Sequence, residues 1–165
     1  GTGKGLLIDY VSLGSDGNQA HLITVPAGGS RLPSSAETVE QRLHYVRLEG
    51  REVFKHAVRR MATAAQECLS HTQLEATQIQ WLVPHQANER IMSATAESVG
   101  VPLEKMVVTV DKYGNTSASG IAIALDEHLK TGVVQTGDHL LLVAFGAGLT
   151  WGAALLTQTQ GNENG

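Results

Sequence analysis

The sequence contains one cysteine, Cys68, in 165 residues. A single thiol excludes an internal disulfide framework and fits a reducing compartment. Basic residues are not in excess. The net charge is −4, which gives no global case for a nucleic-acid partner. No apolar run is long enough to span a bilayer, and no secretory leader is visible. The expectation is a cytoplasmic protein with no membrane partner. Aromatic residues are scarce and prolines number four, whereas glycine is abundant at eighteen. That balance points to tight turns and closely packed elements. The length is one domain's worth, enough to bury a real core.

What is present reads as alternating strands and helices. Residues 1–5, "GTGKG", read as a linker, and 158–165 as a flexible tail, leaving 6–157 as the domain. "GLLIDYVSLG" predicts a strand, "SDGNQ" a turn, and "AHLITVPAGG" a second strand. A Gly/Ser/Pro loop and a short extended "LHYVRLEG" follow. Between Arg51 and Ser70, apolar residues recur at spacings of three and four, which predicts a helix. "WLVP" reads as a buried strand. "NERIMSATAESVG" reads as a helix stopped at Gly100, with Pro102 beyond it. "KMVVTV" predicts a strand, Thr116–Leu129 a helix, and "DHLLLVAFGAGLTWGAALLTQ" two strands broken at "GAG". The order β-β-α-β-α-β-α-β-β implies an α/β domain with a mixed sheet layered by helices.

Three segments share one design. A buried strand ends, and a potentially reactive group follows: His85 after "WLVP", Asn115 in "DKYGNTSASG", and the glycine turn Gly146, Ala147, Gly148. Ligands of open α/β sheets gather outside strand ends. An imidazole can donate a hydrogen bond, act as a base or bind metal. An asparagine N–H can donate to an oxygen that gains negative charge. A glycine turn can aim backbone N–H groups at the same atom. The set suits stabilisation of an enolate or oxyanion. His85 and Glu89 are spaced four apart, as two metal ligands on a helix would be, but no third ligand is spaced for it, so no metal is expected.

"WLVPHQANERI", "DKYGNTSASGIAIAL" and "LLLVAFGAGLTWGAALL" closely resemble the C-terminal half of β-ketoacyl-ACP synthase III, a condensing enzyme of thiolase-like fold. "LGSDGNQAHLITVPAGGSR" and "LEGREVFKHAV" extend the resemblance, which runs from about Leu6 to Thr157. It implies one half of a thiolase-like fold. It also implies a Cys-His-Asn enzyme that transfers an acyl group from CoA to cysteine and then condenses it with decarboxylated malonyl-ACP to initiate fatty acid synthesis. On this sequence the resemblance puts the histidine role on His85 and the asparagine role on Asn115. Acyl-transfer oxyanion donors would come from Gly146, Ala147 and Gly148. The pantetheine/CoA tunnel would be lined by Phe54, Ala87 and Asn88. Lys55 and Arg90 would contact the acidic carrier protein or the CoA phosphates. No cofactor is implied, CoA and phosphopantetheine being substrate carriers. The implied partners are acyl-CoA, malonyl-ACP, the N-terminal half with the nucleophilic cysteine, and a second subunit of the full enzyme in a homodimer.

The sequence departs from the family at two points. The family's nucleophile lies in the N-terminal half, and Cys68 does not replace it. Cys68 falls on the apolar side of a helix near its C-terminal end, where the helix dipole raises a thiol's pKa. By itself this chain is therefore expected to be inactive. The helix after His85 carries Glu97 and Ser98 where some members carry lysines for the carrier. Two alternatives stand beside this expectation. One is a synthase-III-like acyltransferase or condensing enzyme of secondary metabolism; the other is a non-catalytic partner domain.

Overall fold

The computed structural model describes residues 5–160. The elements are β1 (Gly5–Ser15), β2 (Ile23–Thr24), α1 (Ala36–Glu40), β3 (Arg47–Leu48), α2 (Gly50–Thr72), β4 (Trp81–Pro84), α3 (Glu89–Val99), α4 (Val110–Tyr113), α5 (Ser119–Lys130), β5 (His139–Gly146) and β6 (Thr150–Thr159). The main sheet has the order β1-β6-β5-β4, and β2 and β3 form a small separate ribbon. β4 runs parallel to β5, while β6 is antiparallel to both β5 and β1. The expected mixed sheet is therefore present.

Helices cover both faces of this sheet. β5 alternates its side chains, so Leu141 and Val143 point to one face and Leu140 and Leu142 to the other. On the first face α2 contributes Ala57, Met61, Ala64, Ala65 and Cys68, packed with Leu141, Val143, Ala153 and Leu155. The alanine stripe lets a long helix approach the sheet closely. α3 adds Ile91, Ala96 and Val99 beside Leu82. On the second face Ala124 and Leu125 of α5 meet Val83, Val107 and Leu142. Each Leu or Val enclosed in this way contributes roughly 1.5–3 kcal/mol.

The ends of α3 follow sequence rules. Asn88 caps it by accepting from the Ile91 N–H at 3.0 Å, and Gly100 closes it in the left-handed region at φ 89°. The residue after Gly100 bonds back to Ala96, completing the stop.

Four expectations need correction. "AHLITVPAGG" is not a strand: Gly17–Leu22 form a 3-10 helix started by Asp16, which accepts from the Asn18 N–H, and only Ile23–Thr24 pair. "KMVVTV" makes a single bridge, Met106 with Leu82, before the chain turns into α4. α5 starts at Ser119, three residues later than expected, because Thr116–Ala118 turn through Ser117 at φ 58°. The ends are also longer. Gly5 belongs to β1, and Gln158 and Thr159 belong to β6, so only 1–4 and 161–165 of the expected linker and tail lie outside the described residues. The pairing of Gly5 with Thr159, across almost the whole chain, is what makes both ends ordered strand.

Candidate active site

The parallel strands β4 and β5 end side by side, and a cavity of about 1530 Å³ opens beyond them. His85 follows β4 directly. Its backbone N–H donates to the Val143 carbonyl at 2.7 Å, so the residue is held in register with β5. Its own carbonyl accepts from Ala87 at 2.8 Å, which tightens the turn into α3. The side chain lines the cavity. Burial pushes its imidazole below the usual histidine range, so it stays neutral at neutral pH. A neutral imidazole retains one N–H donor.

Asn115 reaches the same cavity from the segment between α4 and α5. Its side-chain oxygen accepts from the Ser117 N–H at 2.9 Å. That bond assigns Oδ1 to the protein and turns Nδ2, the donor end, away from it. Asn115 is thus an Asx-turn residue and not the cap of α5, whose N-cap position is Ala118.

The glycine turn closes the third side. Gly146 and Ala147 line the cavity, but Gly148 does not. Gly148 serves the turn itself: φ is 143°, and an added Cβ would lie 2.8 Å from Thr150 Cγ2. The turn is braced from outside. The Leu149 N–H donates to the Asp16 carbonyl at 2.9 Å, and the Asp16 N–H donates back at 2.8 Å. The Asp16 carboxylate accepts from Arg60 at 3.2 Å, and the Arg60 guanidinium lies 4.3 Å from the Trp151 ring centroid. Neither Asp16 nor Arg60 was singled out as a site residue from sequence. The first reads as a turn residue and the second as a helix surface charge, and their meeting depends on how α2 crosses the sheet.

Phe54, Lys55, Ala87, Asn88 and Arg90 also line the cavity. Arg90 lies 5.9 Å over the Phe54 ring. Lys55 is paired with Glu52 at 2.8 Å on the exposed surface, a contact that holds it only weakly. The structure therefore brings together nine of the ten residues singled out from sequence, Gly148 being the exception. Gln86, a neighbour of His85, was passed over as a site residue. Its one signal is a polar residue set two positions after a buried strand.

Cys68 lies apart from this cavity, fully enclosed in the core under α2. Burial raises its thiol above the usual range, so it is not a thiolate at neutral pH. Among the described residues no group of three His, Cys, Asp or Glu is placed to hold a metal. Nor is any of their helices long and apolar enough to cross a membrane.

His85, Asn115 and the Gly146–Ala147 turn line one cavity beyond the ends of β4 and β5. The fold that carries it is one half of a thiolase-like α/β domain. The family described as "3-Oxoacyl-[acyl-carrier-protein (ACP)] synthase III C terminal" matches residues 69–158. The chain belongs to that family. It is 54% identical to the β-ketoacyl-[acyl-carrier-protein] synthase III of Chlamydia caviae over 94% of this chain and 47% of that protein. The crystal structure of the Thermus thermophilus synthase III superposes with a TM-score of 0.79 at 43% identity, covering 97% of this chain and 48% of the other. The Pseudomonas aeruginosa synthase III gives 0.80 at 35% identity, with 93% and 46% covered. The chain spans about half the length of the curated relatives it matches.

Proposed function

We propose that this chain is the His–Asn side of a β-ketoacyl-ACP synthase III, completed by an N-terminal half that carries the nucleophilic cysteine. The observation that carries the reading is the convergence of His85, Asn115 and the Gly146–Ala147 turn on one cavity in a chain 54% identical to a synthase III. The acyl group first passes from CoA to the cysteine, with CoA thiol as leaving group. Backbone N–H groups near Ala147 hold the oxyanion of that transfer. Malonyl-ACP then loses CO2, and the electron pair of the broken C–C bond moves into the thioester as an enolate. The N–H of His85 and Nδ2–H of Asn115 donate to the enolate oxygen. The enolate carbon attacks the acyl-enzyme, and the cysteine leaves as thiolate.

A low-dielectric site makes such preset donors effective, at about 3–4 kcal/mol each in comparable sites. His85 meets that requirement, since burial keeps its ring neutral and spares the site a competing proton. The phosphopantetheine arm would run past Phe54, Ala87 and Asn88. Arg90 and Lys55 would meet the CoA phosphates or the acidic carrier. No cofactor takes part, and two full subunits pair as a homodimer.

The test is labelling with radioactive acetyl-CoA, on this chain alone and after mixing with a matching N-terminal half. The expected result is no label on this chain, label on the added half, and malonyl-dependent turnover that falls by about 10²-fold or more with His85→Ala. Label on this chain alone, or turnover that His85→Ala leaves within about tenfold of the parent, overturns the reading.

A further inference from the structure

We propose that Gln86 is a positioning residue: its side chain locks the loop that carries His85 to the segment that carries Asn115, and so fixes the spacing of the two donors. The inference rests on the reading of His85 and Asn115 given above.

Gln86 is 1% exposed, and it is absent from the cavity wall that its neighbours His85 and Ala87 form. It therefore acts through other residues and not on substrate. A carboxamide has two N–H donors and two acceptor lone pairs. All four are used here, each on backbone. Nε2 donates to the carbonyls of Pro84 at 2.8 Å and Val107 at 3.2 Å. Oε1 accepts from the N–H groups of Thr109 at 2.8 Å and Val110 at 3.0 Å. This pattern also assigns the amide's orientation. Exchanging O and N would set donors against donors and acceptors against acceptors.

Lys112 and Tyr113 also tie the segment it holds to Glu127 of α5, but those bonds are exposed, whereas Gln86 is buried. After Val107, whose N–H donates to the Leu82 carbonyl at 2.8 Å, the backbone ladder to β4 ends. From there Gln86 does with a side chain what the expected strand would have done with its backbone. Val110 begins α4, so the bond to its N–H secures the entry to the Asn115 segment. The exit rests on the same residue: a Cβ at Gly120, in the first turn of α5, would lie 3.2 Å from Gln86 Cβ. Asn115 is thus suspended between two points that both touch Gln86, while His85 is its covalent neighbour. Bonds in a buried network are strong when complete and costly when half-made.

The experiment uses the enzyme that contains this chain together with its cysteine-bearing half. Gln86→Met keeps the shape and removes all four bonds, whereas Gln86→Glu keeps the two that hold Thr109 and Val110 and, as the neutral acid that burial between two carbonyls favours, has one O–H to give to Pro84 or Val107. Hydrogen exchange over residues 105–118, acyl transfer from acetyl-CoA and malonyl decarboxylation are measured for each, with melting temperature as a control. For Gln86→Met, exchange at 109–110 should accelerate by about tenfold or more. Its decarboxylation kcat should fall on the order of 10²-fold, as for a misplaced catalytic group, with KM changed by less than about threefold. Acyl transfer, which uses the separately braced 146–148 turn, should fall far less. Gln86→Glu, which keeps the two bonds to the Asn115 segment, should exchange more slowly and retain a higher kcat than Gln86→Met.

The proposal is overturned if Gln86→Met leaves exchange and decarboxylation unchanged. It is equally overturned if both half-reactions fall by one factor in step with the melting temperature, or if Gln86→Glu exchanges slowly yet decarboxylates no better than Gln86→Met. Should His85→Ala retain decarboxylation, the donor-pair reading fails first. A fast-exchanging Gln86→Met variant would then mark Gln86 as a structural clamp only.

Discussion

His85 and Cys68 both have the chemistry to attack or to carry a proton, and burial shifts both. His85 stands at the wall of the cavity, just beyond β4. Cys68 stands near the C-terminal end of α2, sealed against Leu155 and its neighbours. In each case loss of water disfavours the charged form, lowering the imidazole and raising the thiol. The consequence is opposite. Neutral imidazole still has an N–H to donate, so burial prepares His85 for its proposed role. A neutral thiol is a poor nucleophile, so burial removes Cys68 from chemistry and leaves it as core. Desolvation alone does not mark a functional group; the neutral form must be the useful one.

The sharpest way to break the comparison is to delete each side chain in the assembled enzyme. His85→Ala should lower malonyl decarboxylation by about 10²–10³-fold, the cost of one lost donor in a preorganised site. Cys68→Ala should leave the rate within about twofold and cost under about 2 kcal/mol of stability, as a small core truncation. Decarboxylation kinetics and denaturant unfolding check the two. Cys68 should also resist iodoacetamide in the native chain and react promptly once unfolded. Rapid native alkylation would place it outside the core.

A smaller effect is expected at the cap of α3, the helix that follows the His85 loop. Asn88→Ala removes the acceptor for the Ile91 N–H and should cost about 1 kcal/mol in urea unfolding. The smallest effect is the pH linkage of His85 itself. Its folded pKa lies below the unfolded value, so between the two the unfolded chain binds more protons. Stability should therefore be full above about pH 6.5 and decline as pH falls toward the folded pKa. His85→Ala should flatten that slope. His128, lowered by burial in the same sense and set edge-on against Trp81, contributes to what remains. A decarboxylation acid limb above pH 6.5 would contradict the neutral-donor role.

Much of this was legible in the sequence. The long helix after Gly50, the short buried strand before His85 and the capped helix after it each carry their signal locally, in apolar spacing, an asparagine and a glycine. The three site segments were also legible, because each pairs an apolar strand or a turn with a chemically distinct residue. "SDGNQ" reads correctly as a turn, but Ala20–Leu22 read as strand because "AHLITV" is as apolar as one, and the 3-10 turn begun at Asp16 runs on through them. "KMVVTV" was misread for a related reason. It has β-branched residues, but its place at the sheet edge is settled by one backbone bridge to Leu82 and by the side chain of Gln86, 21 to 24 residues away.

By itself, the sequence determined which residues are apolar, where helices begin and stop, and which few groups have the chemistry for an oxyanion site. Those properties depend on neighbours within a few positions. Tertiary structure alone decided that Gly5 pairs with Thr159, that β4 lies parallel to β5, that Asp16 braces the glycine turn, and that Gln86 joins the His85 loop to the Asn115 segment. Each of these brings together groups far apart in the chain. Hydrogen-bonding capacity is written in a residue's type, but its partner is chosen only when the core closes around it.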